Sequence, residues 1–237
     1  MPPTRAGLLR LSVTQFLAAL VLVLVAMPFV EHFHAGDLIE TVLMTVVLLA
    51  AVPAVGGQRR TLLLAVVLVT PAVTIIWVDH VRPGQLPRPL AMVAAIGFVG
   101  FVAAHLLRFI LRAPQVTGEV LCAGVAVYLM LAILWAFGYL LVEQVVPRSF
   151  VFTVEPPARR PLTGFEAVYF SFGTMTTVGY GDIIPTSRLA RMVAMLEATT
   201  GMFYVTLLIA RLVALYSSNT VDAPSAAATP HSQETSP

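Results

Sequence analysis

The chain has no lysine, one cysteine and few charges of either sign: 11% of its 237 residues are charged, and all 14 basic residues are arginines spread along the sequence. Without a run of basic residues there is no patch dense enough to follow a nucleic-acid backbone. Cys122 stands alone inside an apolar run, which excludes an intrachain disulfide and a cysteine metal cluster and leaves a small buried apolar side chain. The apolar segments of the first half lack paired aspartates, a His-x-x-x-His pair and a Ser/Lys dyad, so they offer no catalytic centre at membrane depth. Absent lysine beside abundant Ala, Val, Leu and Arg is the composition of a prokaryotic chain from a GC-rich genome.

What is present is hydrophobic sequence. Apolar residues make up 58% of the chain and the mean hydropathy is +0.89, with several uncharged runs close to the ~20 residues that cross a bilayer as a helix. A soluble fold is excluded. An all-α membrane protein is expected, with six spans over residues 11–30, 38–55, 61–78, 89–111, 117–145 and 188–216. Pro53, Pro71, Gly97 and Gly100 are tolerable in such helices, where neighbours and hydroxyls restore lost backbone bonds. Arg5 and Arg10 before the first run resemble the start of a secretory signal, but the run continues to Val30 and no small-x-small cleavage site follows, so it is read as a retained helix. The division expected is a four-helix membrane domain (1–112), a second domain (113–216) and a disordered cytoplasmic tail (217–237) rich in Ser, Thr, Ala and Pro. With both termini cytoplasmic, the arginines divide evenly between the two sides. The first loop breaks the tie, because Arg5 and Arg10 precede helix 1 while the loop after it has no arginine and holds Glu31 and Asp37. The expected location is therefore a prokaryotic inner or plasma membrane, crossed several times.

The second domain contains a different pattern. Residues 146–162 hold Pro147, Pro156, Pro157 and Pro161 with Arg148, Arg159 and Arg160, which reads as an exposed loop. Thr163 and Glu166 then form a capping box. It opens a helix from Gly164 to Met175, about 18 Å long at 1.5 Å per residue and too short to cross a ~30 Å core. Such a helix must enter and return, with its carboxyl end directed at whatever lies at membrane depth. Directly after it comes Thr176-Thr177-Val178-Gly179-Tyr180-Gly181-Asp182. Aiming successive main-chain carbonyls at one axis demands backbone angles that a residue with a Cβ adopts at a cost, and Gly179 and Gly181 remove that cost. A dehydrated cation needs a column of such oxygens. Val178 and Tyr180 would point away into the surrounding wall, and the Thr177 hydroxyl could add to the lowest ring.

This run and the capped helix before it resemble the filter of the tetrameric potassium channel family, the known instance of this device, and residues 117–216 resemble its pore module of outer helix, pore helix, filter and inner helix. The resemblance implies K⁺ as the permeant ion, with no other cofactor. It implies ion sites lined by Thr177, Val178, Gly179 and Tyr180, with Gly181 closing the run and Thr176 at the top of an inner cavity. Tyr169 and Phe170 stand where the family places an aromatic cuff that braces Tyr180. Gly201 stands at the family's hinge glycine and is either a hinge or a close helix crossing. Some members carry a pore-helix carboxylate that clamps the aspartate after the filter; here that position is Gly173, which leaves Asp182 to bond Tyr169 or water. Glu197, one turn before Gly201, is an acid at membrane depth. It either hydrogen-bonds behind the filter of its own or a neighbouring subunit, or stands alone, protonated or snorkelling. One filter strand per chain implies a homotetramer held among membrane lipids.

Helix 4 carries His105, Arg108 and Arg112 in its last two turns after an uncharged stretch from Leu90 to Ala104. These read as interface anchors rather than as the array of arginines a voltage sensor needs. Glu31, His32, His34 and Asp37 could hold a divalent ion but read as solvated loop residues. Glu40 belongs to the interface. No nucleotide- or calcium-binding domain is recognisable after Tyr216, so ligand gating would need a separate regulatory subunit. The expected function is passive, potassium-selective conduction by a homotetramer without a working voltage sensor. The alternatives are a weakly selective monovalent cation channel, or a membrane sensor or enzyme whose activity lies in the upstream helices. An active transporter is disfavoured because no internal repeat with broken helices is present.

Overall fold

The computed structural model describes residues 5–30, 36–54, 59–82, 88–154 and 161–221. The elements are α1 (Arg5–Val30), α2 (Gly36–Ala54), α3 (Arg59–Val81), α4 (Arg88–Arg112), α5 (Gly118–Val145), β1 (Phe150–Phe152), α6 (Gly164–Met175), β2 (Ile183–Pro185) and α7 (Arg188–Val221). A helix lies at each of the six positions expected from the apolar runs. Three described helical segments are both long and apolar enough to cross a membrane: Met92–Arg112, Gly118–Val145 and Arg188–Tyr216. The apolar stretches of the other three are shorter, Val13–Phe29, Thr45–Ala54 and Thr61–Ile75.

Six threonines inside these helices are satisfied locally. The hydroxyls of Thr45, Thr70, Thr74, Thr199, Thr200 and Thr206 each donate to the carbonyl four residues earlier at 2.7–2.8 Å, which lets threonine sit in an apolar helix without an orphaned donor. Trp77 Nε1 donates to Thr45 Oγ1 at 3.1 Å and links α3 to α2. Thr117 caps α5, its side chain accepting from Val120 N–H, a bond the sequence reading did not anticipate.

Helices α1 to α5 pack in sequence order, each on the next where it is described, and α5 is the hub: α1, α4, α6 and α7 all rest on it. One core gathers Phe16, Leu20, Phe98, Val102, Leu106 and Ile110 against the first half of α5. A second forms around its other half, where Tyr139, Phe150 and Phe170 meet edge to face at centroid distances of 4.8–5.7 Å. Such pairs place the positive ring edge on the negative face and contribute beyond their buried area. Tyr204 Oη of α7 donates to Gly124 O of α5 at 2.7 Å.

Two expectations are corrected. The stretch read wholly as an exposed loop contains β1, paired antiparallel with β2 in the register Phe150↔Pro185, Val151↔Ile184, Phe152↔Ile183. The prolines at 147 and 156 only bracket this Phe-Val-Phe triplet, whose alternation buries Phe150 and Phe152 and leaves Val151 half-buried. The tail also begins later than residue 217, because α7 continues to Val221; Ser217 to Val221 contain neither glycine nor proline to interrupt it. Residues 222–237 lie outside the described residues, as do Glu31, His32 and His34 and the side chains of Asp37 and Glu40.

Truncation of the central ring of the aromatic trio is the test of this second core. Phe150→Ala is expected to destabilise the purified protein by about 3 kcal/mol, seen as a lower thermal midpoint in detergent, whereas Val151→Ala, on the other face of the same strand, changes it far less.

Candidate functional site

The short helix α6 starts as its sequence indicates. Glu166 accepts from the Thr163 backbone N–H at 2.9 Å and from the Thr163 hydroxyl at 2.8 Å, forming the capping box. Its carboxyl end runs into Thr176, still right-handed at φ −82°. From there the chain alternates in hand. Thr177 (φ 61°), Gly179 (φ 54°) and Gly181 (φ 78°) are left-handed, and Val178 and Tyr180 between them are not. In an extended strand successive carbonyls point to opposite sides; alternating the hand at every residue turns every second peptide over, so the carbonyls come to lie along one side. The N–H groups face the other way: Thr177 N–H donates to Thr174 O at 3.0 Å and Gly179 N–H to Gly173 O at 3.1 Å. Two of the run's donors are therefore taken by the end of α6, and no bond among the described residues takes the oxygens of Thr177, Val178 and Gly179. Thr177 bears the cost of a left-handed residue with a branched side chain, a strain found where a surrounding structure enforces it.

The upper end of the run is tied to β1. Thr153 N–H donates to Asp182 O at 2.8 Å, and the Thr153 hydroxyl lies 2.8 Å from Gly181 O and 3.2 Å from Asp182 O. The Gly181 carbonyl thus has an intrachain partner, which sets it apart from the carbonyls below. Tyr169 stacks on Tyr180 with centroids 5.8 Å apart and an interplanar angle of 11°, and its hydroxyl donates to Asp182 Oδ2 at 2.7 Å. That bond, with a smaller contribution from burial, pushes the Tyr169 hydroxyl up to about 12, so it remains a donor throughout the neutral range. Asp182 Oδ1 accepts from Ile183 N–H at 3.0 Å. Phe170, expected beside Tyr169 in one cuff around Tyr180, is instead a member of the trio with Tyr139 and Phe150. Successive helical residues point about 100° apart, so in one chain only one of the pair can face the filter.

Behind the run, α5, α6 and α7 meet at a buried polar cluster. Glu197 of α7 is fully buried; one carboxyl oxygen accepts from Tyr139 Oη of α5 and the other meets Ser171 Oγ of α6. Ser171 Oγ also lies 2.7 Å from Ala132 O. The reading of Glu197 as solitary is thereby excluded, and its partners belong to its own chain. One turn further, a Cβ added at Gly201 would stand 2.5 Å from Met175 O and 2.6 Å from Met175 Cγ. Gly201 is the point where α7 crosses the end of α6, immediately below the run. A Cβ added at Gly173, where a clamping carboxylate is absent, would stand 3.9 Å from Cδ2 of the Tyr180 ring.

Thr153, Ser171 and Tyr139 are the supporting residues that sequence reasoning missed. A signal existed for two of them, since a buried glutamate requires donors and Ser171 and Tyr139 are hydroxyls in apolar helices; nothing local marks Thr153. Among the described residues no group of three or more His, Cys, Asp or Glu side chains could hold a metal.

A short helix ending on a one-sided column of carbonyls, flanked by two long apolar helices, is the pore segment of an ion channel, and residues 116–218 match the protein family described as "Ion channel". Two curated proteins refine the class. A calcium-gated potassium channel of Thermoplasma volcanium is 54% identical over 37 residues, 16% of this chain and 11% of that protein. A voltage-gated potassium channel of Aeropyrum pernix is 29% identical over 102 residues, 43% of this chain and 31% of that protein. Residues 116–218 thus carry an ion channel domain that is similar to the corresponding segments of these two prokaryotic potassium channels. The matched regions span less than a third of either relative's length. No solved structure matches.

The Glu197 cluster and the Gly201 crossing make opposite demands on substitution. Glu197→Gln, which keeps the shape and a polar partner for each hydroxyl, is expected to leave the elution volume in size-exclusion chromatography unchanged, whereas Glu197→Ala takes the carboxylate from the buried Tyr139 hydroxyl, Ser171 keeping Ala132 O, and lowers stability by about 1–3 kcal/mol. Gly201→Ala is expected to cost about 1–3 kcal/mol through the forced shift of Met175, read as a lower thermal midpoint; unchanged stability would show that α7 can swing away from α6 freely.

Proposed function

We propose that four copies of this chain assemble around the carbonyl column and conduct K⁺ passively, selecting it over Na⁺ by substituting the oxygens of Thr177, Val178, Gly179 and Tyr180 for the ion's water. The observation that carries this reading is the alternating backbone of Thr177, Gly179 and Gly181 with its donors turned inward. Exposure supports the assembly. In the single chain Val178 is 55% and Tyr180 70% exposed, although the run lies between apolar helices where side chains of this kind need a wall. Of the three membrane-length segments, that in α7 is also the least covered, with Met195, Phe203, Leu207 and Val213 bare. Neighbouring copies would supply both the wall and the opposing carbonyls.

The remaining parts of the reading follow from charge placement. Six crossings, with both termini cytoplasmic, put the Asp182 end of the filter on the outside, where the carboxylate concentrates cations. The charged groups of α4 lie at its end, so voltage is not the stimulus that this helix transmits; the two named relatives differ in stimulus, one calcium-gated and one voltage-gated. The reading is passive conduction rather than catalysis.

The test is reversal potential under bi-ionic K⁺/Na⁺ conditions with the purified protein in planar bilayers. Wild type is expected to reverse near the potassium potential. Gly179→Ala places a Cβ on a left-handed residue at a cost of about 1–2 kcal/mol in each chain and is expected to abolish selective current. A reversal near zero in wild type would favour a weakly selective cation channel, and absence of any current would overturn the reading. Arg108→Gln is expected to leave the voltage dependence of open probability shallow and unchanged.

A further inference from the structure

At the end of α4 and α5 farthest from Asp182, a cavity of about 610 Å³ opens between the start of α3, the last turns of α4, the α4–α5 linker and the first turn of α5. Its polar lining is Thr61, His105, Arg108, Arg112, Gln115, Thr117 and Glu119, and Phe109 forms part of the wall. His105, Arg108 and Arg112 follow at intervals of three and four, which puts them on one face of α4.

Two guanidinium groups face one carboxylate here, and neither guanidinium makes a hydrogen bond or ion pair among the described residues. An arginine near a helix end often caps the last carbonyls, but at α4 that task is already performed from another helix. Arg211 of α7 donates from Nη2 to Leu111 O and to Ala113 O, both at 3.1 Å. Among the described residues the forks of Arg108 and Arg112 thus have no partner, and they lie beside a volume within the range that holds small ligands. The first turn of α5, opened by Thr117, adds the positive end of a 28-residue helix to the same space. Guanidinium forks and a helix amino end both match tetrahedral oxyanions.

Location selects the source. The cavity lies at the end of a membrane-length segment, beside the exposed apolar side chains of Phe109 and Leu111, where a headgroup would sit while its chains cover those residues. We propose that this cavity binds a phosphate-bearing anion, supplied by an anionic lipid headgroup from the leaflet opposite the filter mouth. Basic pockets between membrane helices on the cytoplasmic side are the usual form of such sites. Ala113 of the cavity wall accepts from Arg211 through its carbonyl, so an occupant rests one contact away from the inner helix. The proposal needs the chain to lie in a membrane and not that it conducts.

The test is native mass spectrometry of the full chain released from vesicles of phosphatidylcholine with phosphatidylglycerol. Wild type is expected to retain phosphatidylglycerol over phosphatidylcholine, and Arg108→Gln/Arg112→Gln to retain roughly tenfold less, as the loss of a bidentate pair implies. Arg82→Gln serves as the control, because Arg82 follows the far end of α3, about 31 Å along the helix from Thr61, and is expected to retain lipid like wild type. Equal retention by the double variant, or no preference for phosphatidylglycerol in wild type, would overturn the proposal. A second arm needs no variant: the thermal midpoint of wild type in detergent is expected to rise with added phosphatidylglycerol and to lose that rise at high salt. A rise produced as well by inorganic phosphate alone would reassign the site to a soluble anion and overturn the lipid source.

Discussion

The constraint on which the rest of this molecule depends is the supply of partners for one short piece of irregular backbone at membrane depth. In a bilayer every N–H and C=O must be satisfied within the protein or face a wet cavity. From Thr176 to Gly181 the chain meets this by division of labour. The N–H groups of Thr177 and Gly179 turn back onto Thr174 and Gly173 at the end of α6, acceptors are gathered on the other side, and Thr153 takes the Gly181 carbonyl where the run leaves the core. Alternation of hand at Thr177, Gly179 and Gly181 is what separates the two sets.

Around this run the other elements act as braces. Above it, β1 and β2 and the Tyr169–Asp182 bond hold the exit of the chain. Behind it, Glu197 ties α7 to α5 and α6 through two hydroxyls, and Gly201 lets α7 approach the Met175 carbonyl more closely than any residue with a side chain could. The glycine is thus a contact point first: a hinge there would have to break the crossing of α7 on the end of α6. The aromatic trio of Tyr139, Phe150 and Phe170 joins the same three regions by packing, so polar and apolar ties converge on α6.

Much of this was legible in the chain before folding. The limits of α6, Gly164–Met175, follow from the capping box and from the filter run that ends it. The apolar runs place all six longer helices within a few residues, because hydropathy and helix formation coincide when the backbone must satisfy itself. The alternation of hand was legible only at its glycines; Thr177 adopts the same hand without that composition cue, held by α6. Phe170 was assigned to the wrong neighbour because a motif gives residue types in order and not the direction in which each leaves a helix. The strand at Phe150–Phe152 escaped notice because three residues between prolines carry no periodicity, and its partner lies more than thirty residues later.

What the sequence determined alone is what depends on local chemistry: a membrane-embedded helical chain, one short capped helix, and a glycine-punctuated run able to turn its carbonyls to one side. Tertiary structure decided everything that requires two distant segments to meet. Glu197 acquires Tyr139 and Ser171, Gly201 becomes a crossing, Thr153 closes the top of the run, and Arg211 frees Arg108 and Arg112 by taking the end of α4. Each is a contact between residues 26 to 100 positions apart, and a partner at such separation is chosen by how whole helices pack, which no local pattern encodes.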